Sequence, residues 1–198
     1  MHQSRGITPV WDARADLDPL TARRFRSGRA CIDFTHTGGV GAWQATELVH
    51  DAATASRWLA LCLEVQKVRA RESDIEPLRQ LREAIWQLAQ AAVHDRPLLP
   101  RHIRTVNSFA SLPAVIRLLT ADPTIQIRIP TGQEALATLA RDAVEVFGGP
   151  LAGRVRECAA SDCQLLLVDN SVRGQRRWCS MERCGNRAKV RNHRSRGR

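Results

Sequence analysis

The chain has 198 residues, 43% of them hydrophobic, and a formal net charge of +10. That length suits one ordinary domain with a small appendage, and the apolar share is enough for a real core. No apolar run approaches the ~18 residues of a membrane span, and the first six residues lack the apolar stretch of a signal peptide, so a cytoplasmic protein without membrane attachment is expected.

Residues 1–28 contain Pro9, Pro19, Gly28 and scattered charges, which predict an irregular lead-in. Residues 29–35 alternate weakly and predict a strand, ended by His36-Thr-Gly-Gly39. Residues 45–65 place Leu48, Ala52, Ala55, Leu59 and Cys62 on one face, an amphipathic helix. Ser73-x-x-Glu76 reads as a capping box with Pro77 in the first turn. The stripe Leu78, Leu81, Ile85, Leu88, Ala92 then predicts a helix to about residue 94, broken by Pro97 and Pro100. A shorter helix from Arg101 carries Ile103, Val106 and Ala110 and ends at Pro113.

Residues 114–119 and 125–129 predict two strands joined through Asp122-Pro123. Ile125, Ile127 and Ile129 alternate strictly, which predicts one buried and one wet face. Thr131-x-x-Glu134 opens another helix with the stripe Leu136, Leu139, Ala143, Val146, Phe147, stopped by Gly148-Gly-Pro150. Residues 151–157 predict a short helix. The expected fold is α+β: a mainly helical N-terminal domain, residues 1–153, with a small sheet, followed by a small C-terminal module, residues 154–198.

That module holds four of the six cysteines. Cys158 and Cys163 form one C-x4-C pair, Cys179 and Cys184 a second, with fifteen residues between the pairs. Two close pairs on a medium loop have the spacing of a tetrahedral zinc site with four thiolate ligands, and such a site leaves zinc no open position for catalysis. One structural Zn2+ is therefore expected. Two disulfides are the alternative, disfavoured where nothing suggests secretion. Residues 164–168 and 175–178 are expected to pair as a β-hairpin between the cysteine pairs. Cys31 and Cys62 lie in apolar patterns and are expected to be buried.

The charge is lopsided. Residues 154–198 hold twelve Lys+Arg against four Asp+Glu, whereas residues 1–153 hold eighteen against sixteen. A basic tail on a near-neutral body is the pattern of a nucleic-acid binder. Arg183, Arg187, Arg191, Arg194 and Arg198 recur at helical spacing and make one stripe if the segment is helical. Like charges four apart repel, so the stripe is expected to become ordered against a polyanion. Lys189 flanks it, and Arg176 and Arg177 lie close by. Trp178 either packs over the metal turn or stacks on a base.

The stretch Arg176-Arg-Trp-Cys-Ser-Met-Glu-Arg-Cys-Gly-Asn-Arg187 resembles the CGNR zinc finger, named for the tetrapeptide at 184–187. Asp169, Ser171, Trp178 and Met181 stand where that family has them. The resemblance covers about residues 154–196 and implies a bacterial transcription regulator, usually carrying an N-terminal ABATE domain. The opening of that domain resembles Ile32-Asp-Phe-Thr-His-Thr37, with His36 where the family usually has Asn.

No G-x-S-x-G, P-loop or H-E-x-x-H motif is present, so a non-enzymatic protein is expected. Glu47 and His50 lie three apart but form no second such pair. Asp33 on an apolar stretch either caps a turn or lines a polar pocket, and a ligand pocket bordered by Asp33, His36 and the residues after Trp43 is expected to receive a small-molecule effector. DNA contacts are assigned to Arg176, Arg177, Arg187, Lys189, Arg191 and Arg194. The rival readings are an RNA-binding or ribosome-associated zinc protein, an enzyme with its site near Asp33 and His36, and a protein-interaction module.

Overall fold

A computed structural model describes residues 17–122 and 124–196. Residues 1–16 of the lead-in expected to be irregular over 1–28, and the last member of the arginine stripe, Arg198, lie outside them; the described part of that lead-in is partly helical at residues 19–25. A short helix, α1 (Pro19–Ala22), and a 3-10 turn lead to α2 (Ala30–Thr35). Around it stand α3 (Ala52–Leu63), α4 (Ile75–Val93) and α6 (Gly132–Gly148), and α5 (Pro100–Ala110) packs on α4 and α6.

The segment expected as a strand at 29–35 is thus a helix. Cys31, Ile32, Asp33, Phe34 and Thr35 are all buried, and a segment covered on every side carries no period that could separate strand from helix. Its ends show how the helix is secured. Asp142 of α6 accepts the Cys31 N–H at 2.8 Å, taking one of the donors that a helix start leaves open. At the other end the Thr35 and Thr37 hydroxyls donate to the Ile32 and Phe34 carbonyls.

Helix α3 starts later than periodicity suggests. Asp51 and Thr54 make a reciprocal capping box, with Thr54 N–H donating to Asp51 Oδ1 at 2.7 Å and Asp51 N–H to Thr54 Oγ1 at 3.0 Å. Residues 46–50 are irregular instead, held by Leu48 N–H on the Thr37 carbonyl and by the bidentate pair of Glu47 with the buried Arg82. The box expected at Ser73 and Glu76 is replaced by Asp74, whose carboxylate accepts the Arg71 N–H at 2.8 Å. The box at Thr131 and Glu134 forms as expected.

Strands β1 (Arg117–Leu119) and β2 (Ile125–Ile127) pair antiparallel, with Leu119 opposite Ile125. Their expected buried face is largely absent. Ile125 is 64% and Leu119 81% exposed, because the hairpin projects beyond the helices and only its base, at Ile127, packs on the core.

The chain then reaches the C-terminal module through β3 (Val155–Glu157), where a helix was expected. It pairs antiparallel with β4 (Leu166–Val168), Val155 facing Val168. The expected hairpin of 164–168 with 175–178 does not form, since β4 takes β3 as its partner and the Arg176 N–H goes to the Asp169 carboxylate at 2.7 Å. Strand alternation gives β4 two roles. Leu166 and Val168 join the main core of the helical body, while Leu167, with Leu165 just before the strand, enters a smaller core with the cysteines. The last helix, α7 (Asn186–Arg196), follows a π-turn at Met181–Gly185.

Candidate metal centre and its basic helix

Four buried cysteines, Cys158, Cys163, Cys179 and Cys184, bring their sulfurs within 4.8 Å of one another. Each is placed by a turn. The Cys158 N–H bonds the Leu165 carbonyl and the Cys163 N–H the Ala160 carbonyl, both at 2.9 Å. The π-turn aims Cys184 inward, with the N–H groups of Cys184 and Gly185 sharing the Ser180 carbonyl at 3.1 Å. Cys163 Sγ lies 3.6 Å from Cys179 Sγ, which lies 3.5 Å from Cys184 Sγ. Zinc–sulfur bonds of about 2.3 Å at tetrahedral angles put ligand sulfurs about 3.8 Å apart, so the set fits one structural Zn2+. Sharing protons among crowded thiols points the same way. Hydrogen bonds from Cys163 and Cys179 hold Cys158 well below the usual thiol range, and donating to Cys158 pushes Cys163 up to about 11. A divalent cation replaces those protons and lets all four sulfurs act as thiolates.

The tetrapeptide at 184–187 has a physical account. Cys184 is a ligand. A Cβ at Gly185 would stand 2.8 Å from Met181 Sδ and 3.3 Å from Trp178 Cδ1, so the bare backbone lets those side chains close over the turn. Asn186 donates Nδ2–H to the Glu182 carbonyl at 3.1 Å. Arg187 donates to Cys184 Sγ at 3.4 Å and pairs with Asp162 at 2.6 Å, which offsets the excess negative charge of four thiolates on one Zn2+.

The CGNR zinc finger model matches residues 154–197, and the ABATE model, described as a putative stress-induced transcription regulator, matches residues 28–150. The chain belongs to the ABATE family. No curated protein matches it. This ABATE protein closes its CGNR finger with residues from its own body. Trp43 of the body packs against the cysteine core beside the finger's own Trp178. Arg24 lies 4.4 Å from the centre of the Trp43 ring.

Two of the residues assigned to DNA contact have other tasks. The Arg176 guanidinium reaches five carbonyls: Trp178 through Nε at 3.2 Å, Ser27 and Val168 through Nη1, and Arg26 and Cys179 through Nη2. An arginine has five N–H donors, so none remains for a phosphate, and Arg176 instead ties the body to the finger. Arg187 serves the thiolates, as above. Arg177 is exposed beside Trp178. Lys189 and Arg191 are exposed on α7, with Arg191 3.8 Å from Asp162. Arg194 lies further along α7.

His36 and Asp33, expected to share a pocket, do not. His36 is 1% exposed and ties the turn after α1 to β4: its Nδ1 lies 2.6 Å from the Arg24 carbonyl, and its Nε2 accepts the Leu166 N–H at 3.1 Å. That pair of bonds needs the neutral ring with its proton on Nδ1, and burial pushes its pKa down to about 4. Asp33 lines a cavity without His36 and accepts the Ser27 N–H at 2.8 Å. Glu47 serves Arg82 and the Leu48 and Val49 N–H groups, not a metal. Sequence reading missed Trp43, Asp162 and the tie at Arg176. Only Asp162, inside the first cysteine pair, carried a signal.

No helix among the described residues is long and apolar enough to cross a membrane.

Proposed function

We propose that this protein is a zinc-dependent, DNA-binding transcription regulator, a binding protein rather than an enzyme, whose finger contacts duplex phosphates through its cations. The observation that carries this is a basic helix leading directly from the last zinc ligand, on a module with twelve Lys+Arg against four Asp+Glu. The phosphate set is Arg177, Lys189, Arg191 and Arg194. Arg176 and Arg187 support that set from within. The helical body supplies the regulatory input through a small-molecule effector.

The test is fluorescence anisotropy on random-sequence duplex DNA over a salt series. Each lost phosphate contact should flatten the log–log slope by roughly 0.9. The triple variant Arg177→Ala, Lys189→Ala, Arg191→Ala should keep its zinc and lose most of its affinity. Unchanged affinity refutes the contact set, and preference for structured RNA over duplex DNA in competition refutes DNA as the partner.

A further inference from the structure

A cavity of about 590 Å³ opens between α2, the C-terminal end of α3, β1 and α6. We propose that it binds a small zwitterion of the α-amino-acid type and that the finger senses its occupancy. This deepens the reading of the body as the input half of a regulator.

The chemistry of the walls sets the ligand class. Asp33 is 5% exposed and lies deep, beside the buried Phe25, Cys62 and Leu63. Asp142 is half-buried on the same cavity. Its carboxylate, with that of Glu145, holds Arg29 at 2.6 Å, two negative charges against one positive. The interior thus suits a protonated amine. The mouth carries the exposed Arg26 and Arg117, with Arg117 steadied by the Leu63 carbonyl at 3.4 Å. Two guanidiniums there suit a carboxylate, which they can receive bidentately. Arg29 Nε, buried and without a partner among the described residues, offers a further donor.

The wall nearest the finger is the strip Arg26–Gly28. Its carbonyls are held by the module: Arg26 and Ser27 by Arg176, Ser27 also by the Val168 N–H at 2.9 Å, and Gly28 by Asn170 at 3.0 Å. The Ser27 N–H is held by Asp33. A ligand that engages Asp33 or Arg26 therefore pulls on the backbone to which the finger is tied. It shifts the finger to the extent that its affinity differs between the two arrangements.

The experiment is titration calorimetry of the zinc-loaded full chain, without DNA, with each of the twenty L-amino acids. Any that binds is followed by its N-acetyl and its amide derivative. At least one amino acid should bind one to one, and removal of either charge should weaken it at least about tenfold. Arg26→Ala and Arg117→Ala, both at exposed positions, should each weaken it severalfold with zinc content unchanged. Failure of all twenty to bind, or binding indifferent to both variants, overturns the site. Hydrogen exchange of residues 165–179 should change on adding the bound amino acid, and no change overturns the link to the finger. Because no nucleic acid is present, these outcomes are separate from any failure of DNA binding.

Discussion

His36 shows what a single buried polar group does when both its ring nitrogens are engaged. It holds the backbone of Arg24 and that of Leu166, so one imidazole fastens the body to β4. Burial lowers its pKa from 6.5 to about 4, and the unfolded chain therefore takes up the proton first. The stability it lends is complete above pH 6.5 and is lost as pH falls toward 4, by up to about 3 kcal/mol. Denaturant unfolding at pH 7, 5.5 and 4.5 should show a shallower pH dependence for His36→Gln than for the parent. The zinc thiolates also take up protons in acid, so the difference between the two proteins is the quantity to read. Arg176 and Arg177 are neighbours with opposite tasks. Arg176→Lys keeps the charge but loses the planar fork, and should cost about 2–3 kcal/mol of stability while leaving the DNA salt slope intact. Arg177→Ala should do the reverse. Equal effects of the two on unfolding would contradict the division. Composition showed both as basic residues near the zinc turn. Only the location of five carbonyls around one of them separates their roles.

At the scale of elements, α2 and the loop after it organise the body. The loop folds back through Gly38, whose φ is +115° and whose added Cβ would lie 2.5 Å from Glu47 Cα. Both the left-handed backbone and the close approach demand glycine. Gly38→Ala should cost about 3 kcal/mol or more, whereas Gly153→Ala, with open space around its Cβ position, should stay within about 0.5 kcal/mol. Thermal unfolding of the two variants checks this. The turn signal of Gly38-Gly39 is legible in the sequence, and so are the helices at 75–93 and 132–148, whose apolar stripes repeat over several turns. The helix at 30–35 is not, because it is buried all round and too short to show a period. Nor is the pairing of β3 with β4: residues 164–168 announce a strand, but a strand does not name its partner.

At the scale of the molecule, the body and the finger are joined through β4 and the residue before it, which put Leu166 and Val168 in one core and Leu165 and Leu167 in the other. Structural zinc contributes about 10–16 kcal/mol to the folding of isolated fingers. Here its removal should reach further than the finger. Chelation should abolish amide protection across residues 155–184 and also reduce it in α2, which packs beside β4. Hydrogen exchange by mass spectrometry before and after chelation reads this directly, and an α2 indifferent to zinc would show that the shared strand transmits nothing.

The sequence by itself determined the metal chemistry and the charge. Four cysteines at that spacing leave few other arrangements, and the excess of cations at 154–198 is a matter of counting. It also determined the long helices, because a stripe repeated over several turns is a local property of the chain. The tertiary structure decided which arginines are available to a partner, which strand pairs with which, and that Asp33 faces a cavity while His36 fastens the body to β4. These depend on backbone groups more than a hundred residues away, such as the Ser27 carbonyl for Arg176 and the Leu166 N–H for His36. A side chain carries the capacity for such a bond in its own chemistry, but the fold decides where the partner lies.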